Sequence, residues 1–245
     1  GPAAWSLVIE RSRTIVAGGE SILIVTSVPG QKKRLVFSAA VEQRLGLGID
    51  GLEGSDTSGI YASVLNRDTT LTGSGCYSRY DGCHLNIRSP QTALYAAVFT
   101  PGTSTQTFKA NVTLSNDIRH ELQRELPLDL AVARRGQNAR LYFNAQQGDS
   151  LSFQVMAQST LPAGKYVNYG IYKPDGTLLT SFSALTHQWV NLPNLPQTGQ
   201  YFVFVDAEQA ASLGSRVLLS EGSASGGQVD GEPAEVATDA GGQSV

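Results

Sequence analysis

The chain has 245 residues, enough for one large domain or two of ordinary size. Hydrophobic residues make up 41%, which can fill real cores, while charged residues at 16% fall below the roughly 25% usual in soluble domains. The net charge is −3 with no basic block, which argues against a nucleic-acid surface, and no apolar run approaches the roughly 18 residues that span a bilayer.

Residues 1–21 read as a lead-in that can supply a first strand. Gly1-Pro2 has the form left when a protease removes a tag, no signal peptide follows, and the chain reads as an excised piece of a larger protein. Residues 22–118 alternate with period two, the strand signature: Leu35, Phe37 and Ala39 share one face, and Leu45, Leu47 and Ile49 another. Asp50, Glu53 and Asp56 follow in a Gly/Ser-rich stretch, where their oxygens are a weak calcium candidate against the ordinary reading of a solvated loop. Later strands are Tyr95 to Phe99 and Asn111 to Leu114. Residues 119–126 carry the one hint of helix and are expected to form a connector. Residues 127–220 then repeat the strand pattern, with Leu151, Phe153 and Val155 in alternation and Pro174-Asp175-Gly176 at a tight turn. From Glu221 to the end there are five acidic residues, no Lys or Arg, and no aromatic residue, so 221–245 is expected to be a disordered tail or linker. An acidic recognition segment is the alternative.

The two halves are internally similar. Gly30-Gln31-Lys32-Lys33-Arg34-Leu35-Val36-Phe37 recurs as Gly136-Gln137-Asn138-Ala139-Arg140-Leu141-Tyr142-Phe143, at an offset of 106. At that offset Pro90-Gln91-Thr92 and Tyr95 fall on Pro196-Gln197-Thr198 and Tyr201. Gly59-Ile60-Tyr61 also resembles Gly170-Ile171-Tyr172, which requires a short insertion near Pro162-Ala163-Gly164. The reading is a tandem duplication giving two jelly-roll-like antiparallel β-sandwiches, all-β, with Phe37 and Phe143 at equivalent buried positions.

Gly136 to Phe143, Tyr172 to Leu178 and Leu195 to Val203 together resemble the pre-peptidase C-terminal-like domains of bacteria, tandem copies of which precede the repeats of Rhs/YD-repeat surface and toxin-delivery proteins. The first half departs from that pattern: Asn66-Arg67-Asp68 stands for Pro-Asp-Gly, Ala93 for the turn glycine, and Cys76 to Cys83 is inserted. The resemblance implies an accessory, adhesive or spacer module of a secreted protein.

Cys76 and Cys83, the only two cysteines, can close a small loop, worth about 2.5 kcal/mol by loop entropy, which fits an oxidising compartment. Two reduced thiols are the alternative. No Gly-x-Ser-x-Gly elbow, His-Glu-x-x-His or phosphate-cradling loop occurs, and His84, His120 and His187 lie in different segments. The chain therefore reads as non-catalytic, with no cofactor, no nucleic acid and no membrane insertion. Two functions stay open. One is a secreted or surface spacer that docks on another protein or on its own parent chain. The other is a glycan-binding module using exposed rings, with Tyr77, Tyr80, Tyr166, Tyr169 and Trp189 as candidates. For Trp189, followed by Val190 and Leu192, a core or edge position is the favoured reading. A flat cluster of exposed rings would favour the glycan, and scattered rings the spacer.

Overall fold

A computed structural model describes residues 12–222, so residues 1–11 and the tail from 223 lie outside the described residues. Nine strands come first: β1 (Arg13–Thr14), β2 (Ile22–Val25), β3 (Lys33–Ala39), β4 (Arg44–Gly54), β5 (Ile60–Asn66), β6 (Thr69–Cys76), β7 (Gly82–Arg88), β8 (Ala93–Pro101) and β9 (Phe108–Asn116). Nine more follow: β10 (Ile118–Glu121), β11 (Leu128–Val132), β12 (Ala139–Ala145), β13 (Leu151–Leu161), β14 (Val167–Tyr172), β15 (Leu178–Ala184), β16 (Gln188–Leu192), β17 (Gly199–Ala207) and β18 (Ser212–Glu221). A short 3-10 turn, Glu208–Ala210, precedes β18.

The strands form four sheets, ordered β1-β3-β8-β5-β6, β2-β9-β4-β7, β10-β12-β17-β14-β15 and β11-β18-β13-β16. Adding nine to each strand number of the first two sheets produces the other two. Without the edge strands β1 and β10, each pair of four-stranded layers has the jelly-roll order. All pairings are antiparallel except β1 on β3, β10 on β12 and an isolated bridge from Arg124 to Leu219, which are parallel. Each sandwich closes over its own apolar core. Phe37 and Tyr95 stack at 5.6 Å in one, Phe143 and Tyr201 at 5.4 Å in the other, and both phenylalanines are 1% exposed.

The repeated Pro-Gln-Thr has a structural explanation. Tyr95 Oη donates to the Gln91 carbonyl (2.6 Å), and Tyr201 Oη to that of Gln197 (2.7 Å). Thr92 Oγ1 accepts from Val41 N–H and Thr198 Oγ1 from Gln147 N–H, both at 2.9 Å. The shared motif thus pins a core tyrosine and the turn after β3 or β12.

Three expectations need correction. Residues 119–126 are not helical: β10 pairs with β12, and Ile118, His120 and Leu122 point inward at a spacing of two. Their alternation with charged residues is a strand signature that a reading based on composition missed. The pairing of Gly59-Ile60-Tyr61 with Gly170-Ile171-Tyr172 also fails. Ile60 lies opposite Pro101 and Val167 opposite Ala207, so Ile60 is equivalent to Val167, and Tyr172 to Leu65. The insertion shrinks to a single residue, because Leu45, Leu47 and Ile49 match Leu151, Phe153 and Val155 at an offset of 106 and Ile60 matches Val167 at 107. Finally, Asp50 and Glu53 lie in β4 rather than in a loop.

Candidate functional site

The two sandwiches meet where the outer face of the β2-β9-β4-β7 sheet receives two turns of the second sandwich. Gly46 and Gly48 of β4 are buried in this contact. A Cβ on Gly46 would stand 1.9 Å from the Gly136 carbonyl oxygen, and one on Gly48 would stand 2.2 Å from that of Arg135. Gly136 itself has φ +67°. Backbone thus lies directly on backbone, and only residues without side chains permit that approach.

Polar side chains surround this contact. Arg134 Nε donates to Ser115 Oγ (2.8 Å), and Gln137 Nε2 to the Asn116 carbonyl (2.9 Å). The Arg135 guanidinium donates to the Asp81 carbonyl (2.7 Å) and lies 3.6 Å from Asp50. Lys165 pairs with Asp81. Asn138 donates to Asn86 (2.8 Å), and Asn86 in turn to Asp206 (2.8 Å). His84 Nε2 lies 2.8 Å from the Asp206 carboxylate, and in the neutral ring its Nδ1 accepts from Ala210 N–H at 3.3 Å. Burial disfavours the imidazolium, but the hydrogen bond and charge of Asp206, together with Glu208, outweigh it and raise the His84 pKa. Both ring nitrogens of His84 are therefore engaged, one by a carboxylate and one by backbone. Sequence reasoning did not single out this pair, because nothing local relates residue 84 to residue 206.

The cysteines are joined, with Cα atoms 5.6 Å apart, inside the limit of about 7 Å for a bridge. The bond staples β6, an edge of one sheet, to β7, an edge of the other. In the loop between them Tyr77 is 37% exposed and Tyr80 46%, and the Arg79 guanidinium lies 4.6 Å and 4.9 Å from their ring centroids. The two rings meet edge to face at 80°, so they form no flat platform.

The other sequence candidates lie apart from these. Tyr166 is exposed in the loop before β14. Tyr169 is fully buried, its hydroxyl donates to Gln158 Oε1 (2.6 Å), and burial pushes its pKa up to about 12. It is a core residue and cannot present a ring to a ligand. Trp189 is half-exposed on the outer face of β16, an edge strand of its sheet, so of the core and edge readings the edge one holds. Val190 and Leu192 face inward, and the same alternation that buries them turns Trp189 outward. The calcium candidates are each otherwise engaged. Asp50 accepts from Asn111 (3.2 Å), Glu53 pairs with Lys109 (3.0 Å), and Asp56 accepts from Thr103 (3.0 Å). Among the described residues no group of three or more His, Cys, Asp or Glu is placed to hold a metal.

What the sequence reading missed is a row of rings on the outer face of the β10-β12-β17-β14-β15 sheet: Tyr142, Phe202, Tyr172 and Phe204. The signal was available. Tyr201-Phe202-Val203-Phe204-Val205 is apolar throughout, and a strand must turn half of such a run outward.

Compared with models of known families and with curated proteins, the chain matches none. Solved structures resemble it distantly. The pre-peptidase C-terminal domain of a collagenase from Bacillus anthracis is 9% identical over 45% of this chain and 100% of its own, with a TM-score of 0.34. The PBSX exported protein XepA is 11% identical, covering 87% and 90%, at 0.32. The CUB1-EGF-CUB2 domains of rat MASP-1 are 8% identical, covering 86% and 100%, at 0.25. At these scores the likenesses carry no argument, and the fold stands on its own strand order.

Proposed function

We propose that this chain is a non-catalytic accessory module of a secreted or surface bacterial protein, a spacer whose two sandwiches are fixed to each other and dock as one unit. The observation that carries this reading is the interface at Gly46, Gly48 and Gly136. A flexible tether between independent domains has no use for backbone-to-backbone contact ringed by the pairs of Arg135, Lys165 and His84. The disulfide supports an oxidising location. The five aromatic residues singled out in the sequence are scattered or buried, which favours the spacer over a glycan platform built from them.

Calorimetry tests the coupling. The intact chain is expected to unfold in one transition, and Gly48→Val, whose side chain cannot fit against the Arg135 carbonyl, is expected to split it into two. A single unchanged transition in that variant would contradict the proposal.

A further inference from the structure

The second sandwich carries on its outer sheet face four rings that the first lacks. Register sets Tyr142, Phe202, Tyr172 and Phe204 where the first sandwich has Val36, Ala96, Leu65 and Val98. Phe202 and Tyr172 stack at 4.7 Å with their planes 4° apart, and Tyr142 lies 5.7 Å from Phe202. Arg119 caps Tyr142 at 3.8 Å. Arg140 lies 4.5 Å from the centroid of Phe204, and Asp117 holds it in turn at 2.9 Å. These rings are therefore set in place before any ligand arrives, which lowers the entropic cost of binding.

Beside them lies a glycine. Gly170 lies between Phe204 on β17 and Ser181 on β15. Its missing side chain makes room for the Tyr172 ring, whose Cε2 lies 2.9 Å from where a Cβ would stand, and beside them opens a groove of about 460 Å³ lined by Tyr172, Leu178 and Phe204. Asn168, Ser181, Ser183 and Asp206 supply the polar lining.

We propose that this groove binds a neutral pyranose unit of a glycan. A pyranose offers an apolar C–H face and a rim of hydroxyls, and the groove offers a ring face and polar groups in that arrangement. Arg140 approaches Phe204 from β12, and Phe204 also lines the groove. Ser183 Oγ donates to Asn168 Oδ1 (2.6 Å), which leaves the Asn168 amide N–H groups to meet sugar oxygens. Asp206, the one ionisable carboxylate in the lining, is engaged by His84 and Asn86, and no cation lines the groove to select a phosphate or an acidic sugar. The first sandwich has Ser63 and Val98 at the matching positions, so the site belongs to the second alone.

The test is a titration of the isotope-labelled chain, followed by amide chemical shifts. The probes are cellohexaose, mannohexaose and chitohexaose, with an oligogalacturonate as the acidic arm. At least one neutral probe is expected to shift Gly170, Ser181 and Phe204 with a dissociation constant near 1 mM. Phe204→Val and Gly170→Thr should each weaken it about tenfold, and Trp189→Ala should leave it unchanged. Both groove substitutions lie on the solvent side of the sheet, and if Gly170→Thr disturbs the spectrum, Phe204→Val decides alone. No neutral probe acting by about 10 mM, shifts elsewhere, equal binding by Phe204→Val, or a response to the acidic oligomer alone would overturn the proposal. None of these outcomes bears on how the two sandwiches are coupled.

Discussion

The two four-stranded sheets have the same strands in the same order, yet their outer faces meet different surroundings. In β2-β9-β4-β7, Gly48 lies opposite His84 and Gly46 opposite Asn86. In β11-β18-β13-β16 the matching pairs are Gln154 with Trp189 and Ser152 with Asn191. The first face receives the second sandwich, while Trp189 and Asn191 on the other remain exposed. The inward residues hardly differ, with Leu47 and Phe153 both fully buried. Duplication thus kept the core, while the outward residues determine what each copy touches. Two glycines admit a neighbouring backbone, where the other sheet has a serine and a glutamine at the same places.

The cores should therefore answer alike where the faces do not. Phe37→Ala and Phe143→Ala are each expected to cost about 3–5 kcal/mol, because both empty a stacked aromatic site. Chemical denaturation of both variants checks this, and a near-neutral effect at either position would break the equivalence.

The staple is a smaller difference. Cys76 and Cys83 correspond in register to Ala184 and Gln188, so only the first sandwich has the bridge. Cys76→Ser with Cys83→Ser should cost the first sandwich about 2.5 kcal/mol. Amide hydrogen exchange should show that loss in β6 and β7 and leave β15 and β16 as they were. Equal loss in both sandwiches would mean that the bridge acts through the interface.

How much of this was legible follows from the range of each signal. Alternation at Leu35, Phe37 and Ala39 is local, as is the Pro-Gln-Thr turn, so fold class and repeat were readable. Strands of a jelly roll pair far apart in sequence, and a three-residue match such as Gly-Ile-Tyr carries no pairing information. It therefore misplaced β5 by four residues. The face Trp189 takes was readable from Val190 and Leu192, whereas its place on an edge strand depends on pairing between distant segments. The His84–Asp206 pair joins residues 122 apart, in different sandwiches, and no pattern within either repeat announces it.

That pair supplies the finest difference, one of pH. The folded pKa of His84 is raised, so its contribution is fully present below the ordinary histidine value and is lost as pH rises through the folded value. The chain is expected to melt higher at pH 6 than at pH 8, and His84→Gln should flatten that difference. An unchanged difference in the variant would assign it to other groups. Trp189→Ala, on the uncovered face, should move stability by no more than about 0.5 kcal/mol at either pH.

The central claim is that the two sandwiches hold one orientation through the glycine contact, and a distance distribution measures it most directly. Spin labels at Val41 in the first sandwich and Leu178 in the second, both exposed, report across the interface. Pulsed electron resonance should give one narrow distance in the parent chain and a broad distribution in Gly48→Val. A broad distribution in the parent chain, or a narrow one that survives Gly48→Val unchanged, would contradict the account.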